Sequence, residues 1–142
     1  MENDKEKFKK NFINRLIEFS ISVIDFTDTF PEKPKFWPIR DQLTRCATSI
    51  GANVVEAKSS SSKKDYIKFF DIALKSANET EYWLFVLEKM GLKCDNLVRE
   101  NNEIASIIAA SLLTLKNKKW LLRIGWELRL FLFWLIVLIF KF

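Results

Sequence analysis

The chain has 142 residues, of which 49% are hydrophobic and 14% aromatic, and its 23 Lys and Arg outnumber its 18 Asp and Glu for a formal charge of +5. That length and apolar content suit one domain with a core of its own and make a second domain unexpected. With no histidine, the commonest general base and metal ligand is missing, and Cys46 and Cys94 stand too far apart for a metal-ligand spacing or a disulfide framework, so two reduced thiols are expected.

The first ten residues, M-E-N-D-K-E-K-F-K-K, hold no apolar signal core, which points to a cytoplasmic protein. Phe8, Phe12, Leu16, Phe19, Val23 and Phe26 then recur at spacings of three and four among Lys9, Lys10, Arg15 and Glu18, the pattern of an amphipathic first helix. Pro31, Pro34 and Pro38 all fall between Thr27 and Ile39. Each lacks an N–H and restricts the residue before it, so this stretch reads as a loop into the second helix. Leu43, Ala47, Ile50, Val54 and Ala57 line one face of that helix. After a Ser/Lys turn, Ser62 stands three residues before Asp65, a capping-box-like start for a third helix. Tyr66, Phe70, Ala73, Ala77, Thr80, Leu84 and Leu87 form its apolar stripe, and Gly91 is placed to end it as a left-handed cap. Leu97, Ile104, Ile108, Ser111, Leu112 and Leu115 supply a fourth helix whose first turn is polar and weakly marked. The expected fold is all-α: residues 1–119 form an up-down-up-down antiparallel four-helix bundle, followed by an apolar C-terminal extension over residues 120–142 that is expected to be helical. The central hairpin, Arg40 to Leu87, is rich in small residues that let its two helices pack closely.

The run S-I-G-A-N-V-V-E from Ser49 to Glu56, then D-Y-I-K-F-F-D-I-A from Asp65 and S-A-N-E-T-E-Y-W-L from Ser76, resembles the bacterial four-helix-bundle family first noticed as proteins encoded within intervening sequences of 23S ribosomal RNA genes. The resemblance extends from the first helix to Lys119 and is most specific between Gln42 and Leu87. Ala57 stands where the family usually has glycine, a change that favours helix by about 1 kcal/mol. The resemblance implies a homo-oligomer, because relatives form rings, in known cases pentamers. It also implies a nucleic-acid setting, because some relatives are basic accessory rings beside the reverse transcriptases of diversity-generating retroelements. A reverse transcriptase or another nucleic-acid enzyme is among the partners it suggests.

Beside the core stripes run second rows: Gln42, Arg45, Ser49, Asn53 and Glu56 on the second helix, and Asp65, Phe69, Ile72, Ser76, Glu79 and Trp83 on the third. Two readings are open. The rows form a surface that meets another subunit, which the resemblance favours, or Phe69, Ile72 and Trp83 merely widen the core arc. With the turn centred near Ser60 and Ser61, the numbers of facing residues sum to about 121. That suggests ion pairs of Arg45 with Glu79 and of Glu56 with Lys64 or Lys68, within or between subunits.

Alternating helices also bring the start of the first helix, the hairpin turn and the end of the fourth helix to one pole. Residues 1–10, 58–68 and 116–119 together carry eleven lysines and four acids, a net of +7 that leaves −2 for the rest of the chain. Such a pole suits sequence-independent contact with the phosphates of DNA or RNA. Lys58, Lys63, Lys64, Lys68, Lys116, Lys118 and Lys119 are the expected contacts, with Lys9 and Lys10 in support, although any one of these lysines alone reads as a solubilising helix end.

No P-loop glycine pattern, no G-x-S-x-G and no cluster at metal-ligand spacing is present, so no enzymatic activity, cofactor or metal is expected. From Trp120 to Phe142 the composition changes abruptly. The apolar run from Leu130 to Phe140 falls short of the roughly 20 residues that span a bilayer, and extending it backwards brings in Arg123, Glu127 and Arg129. Three readings compete: a membrane anchor flanked by Trp120 and Trp126, an additional helix buried in the oligomer, or an extension produced by a shifted reading frame or lost stop codon. The last accounts for both the sudden change and the low complexity. The first gives the alternative function, a membrane-associated oligomeric scaffold.

Overall fold

A computed structural model describes residues 4–117. Helix α1 covers Asp4–Asp28, α2 Trp37–Ala57, α3 Lys63–Lys89 and α4 Asp95–Asn117, and no strand occurs among the described residues. Helices α1 and α3 each pack on α2 and α4 and lie diagonally across one shared core. The architecture is all-helical and compatible with a four-helix bundle. One groove is lined by Phe12 near the start of α1, Val54 near the end of α2, Tyr66 near the start of α3 and Leu115 near the end of α4. Neighbouring helices therefore run in opposite directions. The extension from Trp120 to Phe142, with its expected helix, lies outside the described residues.

The loop expected from Thr27 to Ile39 is shorter than its prolines suggest. Helix α1 continues to Asp28, Pro34 opens a 3-10 turn over Pro34–Phe36, and Pro38 sits in the first turn of α2. There its missing N–H is no loss, because the first amides of a helix have no intrahelical acceptor. Phe30 and Phe36, both buried with ring centroids 5.8 Å apart, fill the corner under this connection.

The caps of α3 follow the sequence. Ser62 Oγ accepts from Asp65 N–H at 3.1 Å, while its hydroxyl donates to the Asp65 carboxylate at 2.7 Å. The shorter Asp, standing where a capping box has Glu, thus closes on the hydroxyl itself. At the other end Gly91 takes φ +91°, its N–H donates to Glu88 C=O at 2.9 Å, and Leu92 N–H donates to Leu87 C=O at 3.0 Å. This is the Schellman pattern, whose left-handed residue carries no Cβ penalty only as glycine.

Within the core, Leu16, Val23, Leu43, Ile50, Leu84, Leu87, Ile104 and Ile108 are almost wholly buried, as the stripes require. Phe8 departs from its stripe and stands exposed. Across the α2–α3 seam the small residues Ala47, Ala57, Ala73 and Ala77 are buried, and Ser76 Oγ donates to Ser49 Oγ at 3.1 Å. That bond sets the hairpin register: facing numbers sum to about 125, one turn away from the expected value. The ion pairs expected of Arg45 with Glu79 and of Glu56 with Lys64 or Lys68 do not form within the chain. Arg45, Glu56 and Glu79 all point to solvent.

The weakly marked start of α4 carries the polar contacts that close the bundle. Arg15 on α1 donates to both oxygens of Glu100, at 2.5 and 2.9 Å, and also to Glu103. Beside them Asn101 is 1% exposed and its amide donates to Ala77 C=O on α3 at 3.0 Å. Cys46 and Cys94 are free and buried; each thiol donates to a backbone carbonyl at 3.3 Å, Leu43 and Leu84 respectively, and burial raises both thiol pKa values.

Among the described residues, Gly51 and Gly91 should respond to substitution with opposite signs. A Cβ on Gly51 would meet Leu16 Cβ at 3.4 Å, ordinary contact, so Gly51→Ala should raise stability by about 0.5–1 kcal/mol through helix propensity. Gly91→Ala, forced into the left-handed region, should lower it by about 1–2 kcal/mol; urea midpoints measure both, and a stabilising Gly91→Ala would contradict the cap. The Arg15 hydrogen bond, the largest cause, holds the Glu100 carboxyl below the usual carboxylate range. Since its folded pKa lies below the unfolded one, this contribution is full above the unfolded value and fades as pH falls through the folded one. Glu100→Gln should therefore flatten the acid limb of a urea-midpoint profile below about pH 4, and an unaltered limb would remove the assignment.

Candidate nucleic-acid interface

The groove that gathers four helix ends marks a pole of the bundle, and most of the expected lysines stand there. Lys9 and Lys10 come from the start of α1, Lys58 follows α2, and Lys63, Lys64 and Lys68 open α3; all six are exposed. Among the described residues none of the six forms an ion pair, since the pairs present are Arg15 with Glu100 and Glu103 and Lys116 with Asp71. Lys116 is thus held by the Asp71 carboxylate at 2.8 Å and is not free in the way its neighbours are. Lys118 and Lys119 lie outside the described residues.

The acids at this end are partly engaged. Asp65 is bonded by the hydroxyls of Ser62 and, at 3.4 Å, Ser61, and Asp71 by Lys116. Asp4 and Glu6, in the first turn of α1, favour the positive end of that helix's dipole and reduce the local excess of positive charge. The hairpin turn contributes four lysines with a single acid, and Glu56, exposed in the last turn of α2, also stands at this end.

Aromatic rings lie among these lysines: Phe12 and Phe70 are buried in the core as their stripes require, whereas Phe8 is exposed and Tyr66 half-buried. Phe8 is 61% exposed and stacks on Phe12 with centroids 6.4 Å apart, and Tyr66 stacks on Phe70 at 4.9 Å. All four rings line the groove, with Lys9, Lys10 and Lys58 on the same walls. Its volume of about 1440 Å³ exceeds the roughly 300–1,000 Å³ of an enclosed small-molecule pocket. The available signal was position: Phe8 stands in the first turns of α1, where a stripe residue has fewer neighbours than in mid-helix.

The second rows of α2 and α3 face each other along the seam. Asn53 donates to Ser49 C=O at 2.8 Å and to Ser49 Oγ at 3.0 Å, and Ser49 meets the buried Ser76. Phe69, Ile72 and Trp83 are half-buried, with Phe69 and Trp83 packed on the core, while Arg45, Glu56 and Glu79 are exposed. Among the described residues no three His, Cys, Asp or Glu side chains gather as a metal site, and no helix is long and apolar enough to cross a membrane.

The solved structure of a protein of unknown function from the S23 ribosomal protein family of Bacteroides thetaiotaomicron is similar to this chain, with 29% identity over 73% of this chain and 96% of the other, and a TM-score of 0.67. Among proteins of curated function, none matches. The model of the family described as 23S rRNA-intervening sequence protein matches residues 9–113, from Lys9 through all four helices to Leu113. That match spans most of the chain and all four helices: the chain belongs to the 23S rRNA-intervening sequence protein family.

Proposed function

We propose that this chain is a non-catalytic, self-assembling helical bundle that binds nucleic acid through its lysine-rich pole. The observation that carries the reading is the convergence of Lys9, Lys10, Lys58, Lys63, Lys64 and Lys68 on one end, from three separate helices and without ion-pair partners among the described residues. Lysines so placed act as point charges for phosphates and carry no base preference of their own. Self-assembly into a ring, of five subunits by family resemblance, sets several such poles side by side and multiplies the local field. Phe8 and Tyr66 add ring faces at the same end, and stacking on such faces favours unpaired bases. The same pole would hold the nucleic acid on which a partner such as a reverse transcriptase acts. The membrane-anchored alternative rests wholly on Trp120 to Phe142, outside the described residues.

Fluorescence anisotropy of the full chain with labelled single-stranded RNA and duplex DNA tests the pole. Replacing Lys63, Lys64 and Lys68 by Glu should weaken binding at least about tenfold at low salt and lower the salt slope by roughly 2–3, one contact per lysine. Unchanged affinity and slope would refute the lysine pole. Phe8→Ala should weaken single-strand binding by about 1–3 kcal/mol and spare the duplex; equal losses on both would show that the ring does not stack on bases.

A further inference from the structure

Helix α1 is apolar on two sides. Its core face is Phe12, Leu16, Phe19 and Val23, yet on the side away from these Ile17, Ile21 and Ile24 follow one another at spacings of four and three. They are 53%, 51% and 41% exposed. Single exposed apolar residues are ordinary, but three in one helical row are a surface that water disfavours. Acids flank the row: from Leu16 to Asp28 the helix holds Glu18, Asp25 and Asp28 and no Lys or Arg. All three are exposed, and none forms an ion pair among the described residues.

Diagonally across the bundle, α3 has an outward row of complementary character. Tyr82 and Phe85 are exposed at its centre, and Lys75 and Lys89, exposed and without ion-pair partners among the described residues, stand at its two ends. Of the three acids between these lysines, Glu79 lies toward α2 and Glu88 lines the α3–α4 groove together with Phe85, while Glu81, half-buried beside Tyr82, offsets one of the two lysine charges and forms no ion pair among the described residues. The two rows also match in height. Helices α1 and α3 start at the same pole; Glu18 and Asp28 stand 14 and 24 residues past the start of α1, Lys75 and Lys89 12 and 26 past that of α3. At 1.5 Å per residue each pairing is offset by only about 3 Å.

We propose that the outward face of α1 in one copy of this chain docks on the outward face of α3 in the next, Ile17, Ile21 and Ile24 against Tyr82 and Phe85, with Glu18 opposite Lys75 and Asp28 opposite Lys89. The occupant of each face is a second copy, because two apolar rows on opposite sides of the same chain match in height and set Glu18 and Asp28 of one opposite Lys75 and Lys89 of the other. The two faces lie on opposite sides of the subunit, so the contact is heterologous and propagates head to tail, closing into a ring when the rotation permits. A rotation about an axis along the bundle keeps α1 and α3 parallel, so every basic pole faces the same way. The inference rests on the self-assembly reading above and adds to it the faces that carry the assembly.

Native mass spectrometry of the full chain tests both levels. A multi-subunit particle is expected for the wild type, and monomers for Ile17→Asp with Ile21→Asp and for Tyr82→Asp with Phe85→Asp. Mixing the two double variants should restore a two-chain particle and nothing larger, since each keeps one good face; this also shows that both are folded. A wild-type monomer would overturn self-assembly and the proposal together. A wild-type assembly that survives either double variant would overturn the proposal alone and move the contact elsewhere, the half-buried Ile72 and Trp83 being next to test. Monomers that fail to pair on mixing would overturn the head-to-tail arrangement. In the same instrument, Glu18→Lys and Lys75→Glu should each weaken the particle, and their combination in one chain should restore it; no restoration would overturn the charge pairing.

Discussion

The close approach of α2 and α3 is the constraint on which the rest of the molecule depends. Two serine hydroxyls can meet across a helix pair at 3.1 Å only when the axes lie near the short end of the usual 8–10 Å. Buried alanines on both sides of Ser49 and Ser76 permit that approach along most of the hairpin. A pair so close forms a narrow ridge, and α1 and α4 complete the core against its flanks. The seam thereby decides which way the ends of α1 and α4 point, and so which lysines share a pole.

Closure on the far side is polar. Arg15 reaches from α1 to two acids on α4, while buried Asn101 ties α4 to a carbonyl of α3. A salt bridge that is about one third exposed adds little net stability in water. Its geometry is nonetheless directional, as is that of a buried amide, and an apolar core alone would tolerate α4 sliding by a turn. The Asn101 amide bond to the Ala77 carbonyl therefore fixes where α4 sits along α3.

Much of this was legible in the sequence, for identifiable reasons. Ser62 and Gly91 announced the ends of α3 because cap chemistry is local, requiring only a hydroxyl or a positive φ at a set distance from the stripe. Pro38 misled because a proline forbidden inside a helix is welcome in its first turn, and only the chain that follows distinguishes the two. The expected Arg45–Glu79 and Glu56–Lys68 pairs depended on counting from the centre of a turn, and an error of two residues there displaces every facing pair by one helical turn. Arg15, Glu100 and Asn101 gave no signal, since a long-range polar contact has no period. The isoleucine row of α1 was visible in the letters but masked by the stronger stripe beside it, because a search for one apolar face stops when it finds one. At the end where α1 and α3 begin, the lysines were readable as a group once the helices alternated, whereas the exposure of Phe8 carried no sign in a stripe that otherwise faces the core.

The two buried thiols have a consequence for watching this protein move. Cys46 lies in the middle of the seam and Cys94 at the corner where α3 hands over to α4, and each is shielded from solvent with its ionisation suppressed. A thiol reagent can reach either sulfur only when that part of the molecule opens. The pair therefore act as two native clocks, one on the hairpin and one on the last helix, whose separate rates would reveal whether α4 lets go of the bundle before the seam does.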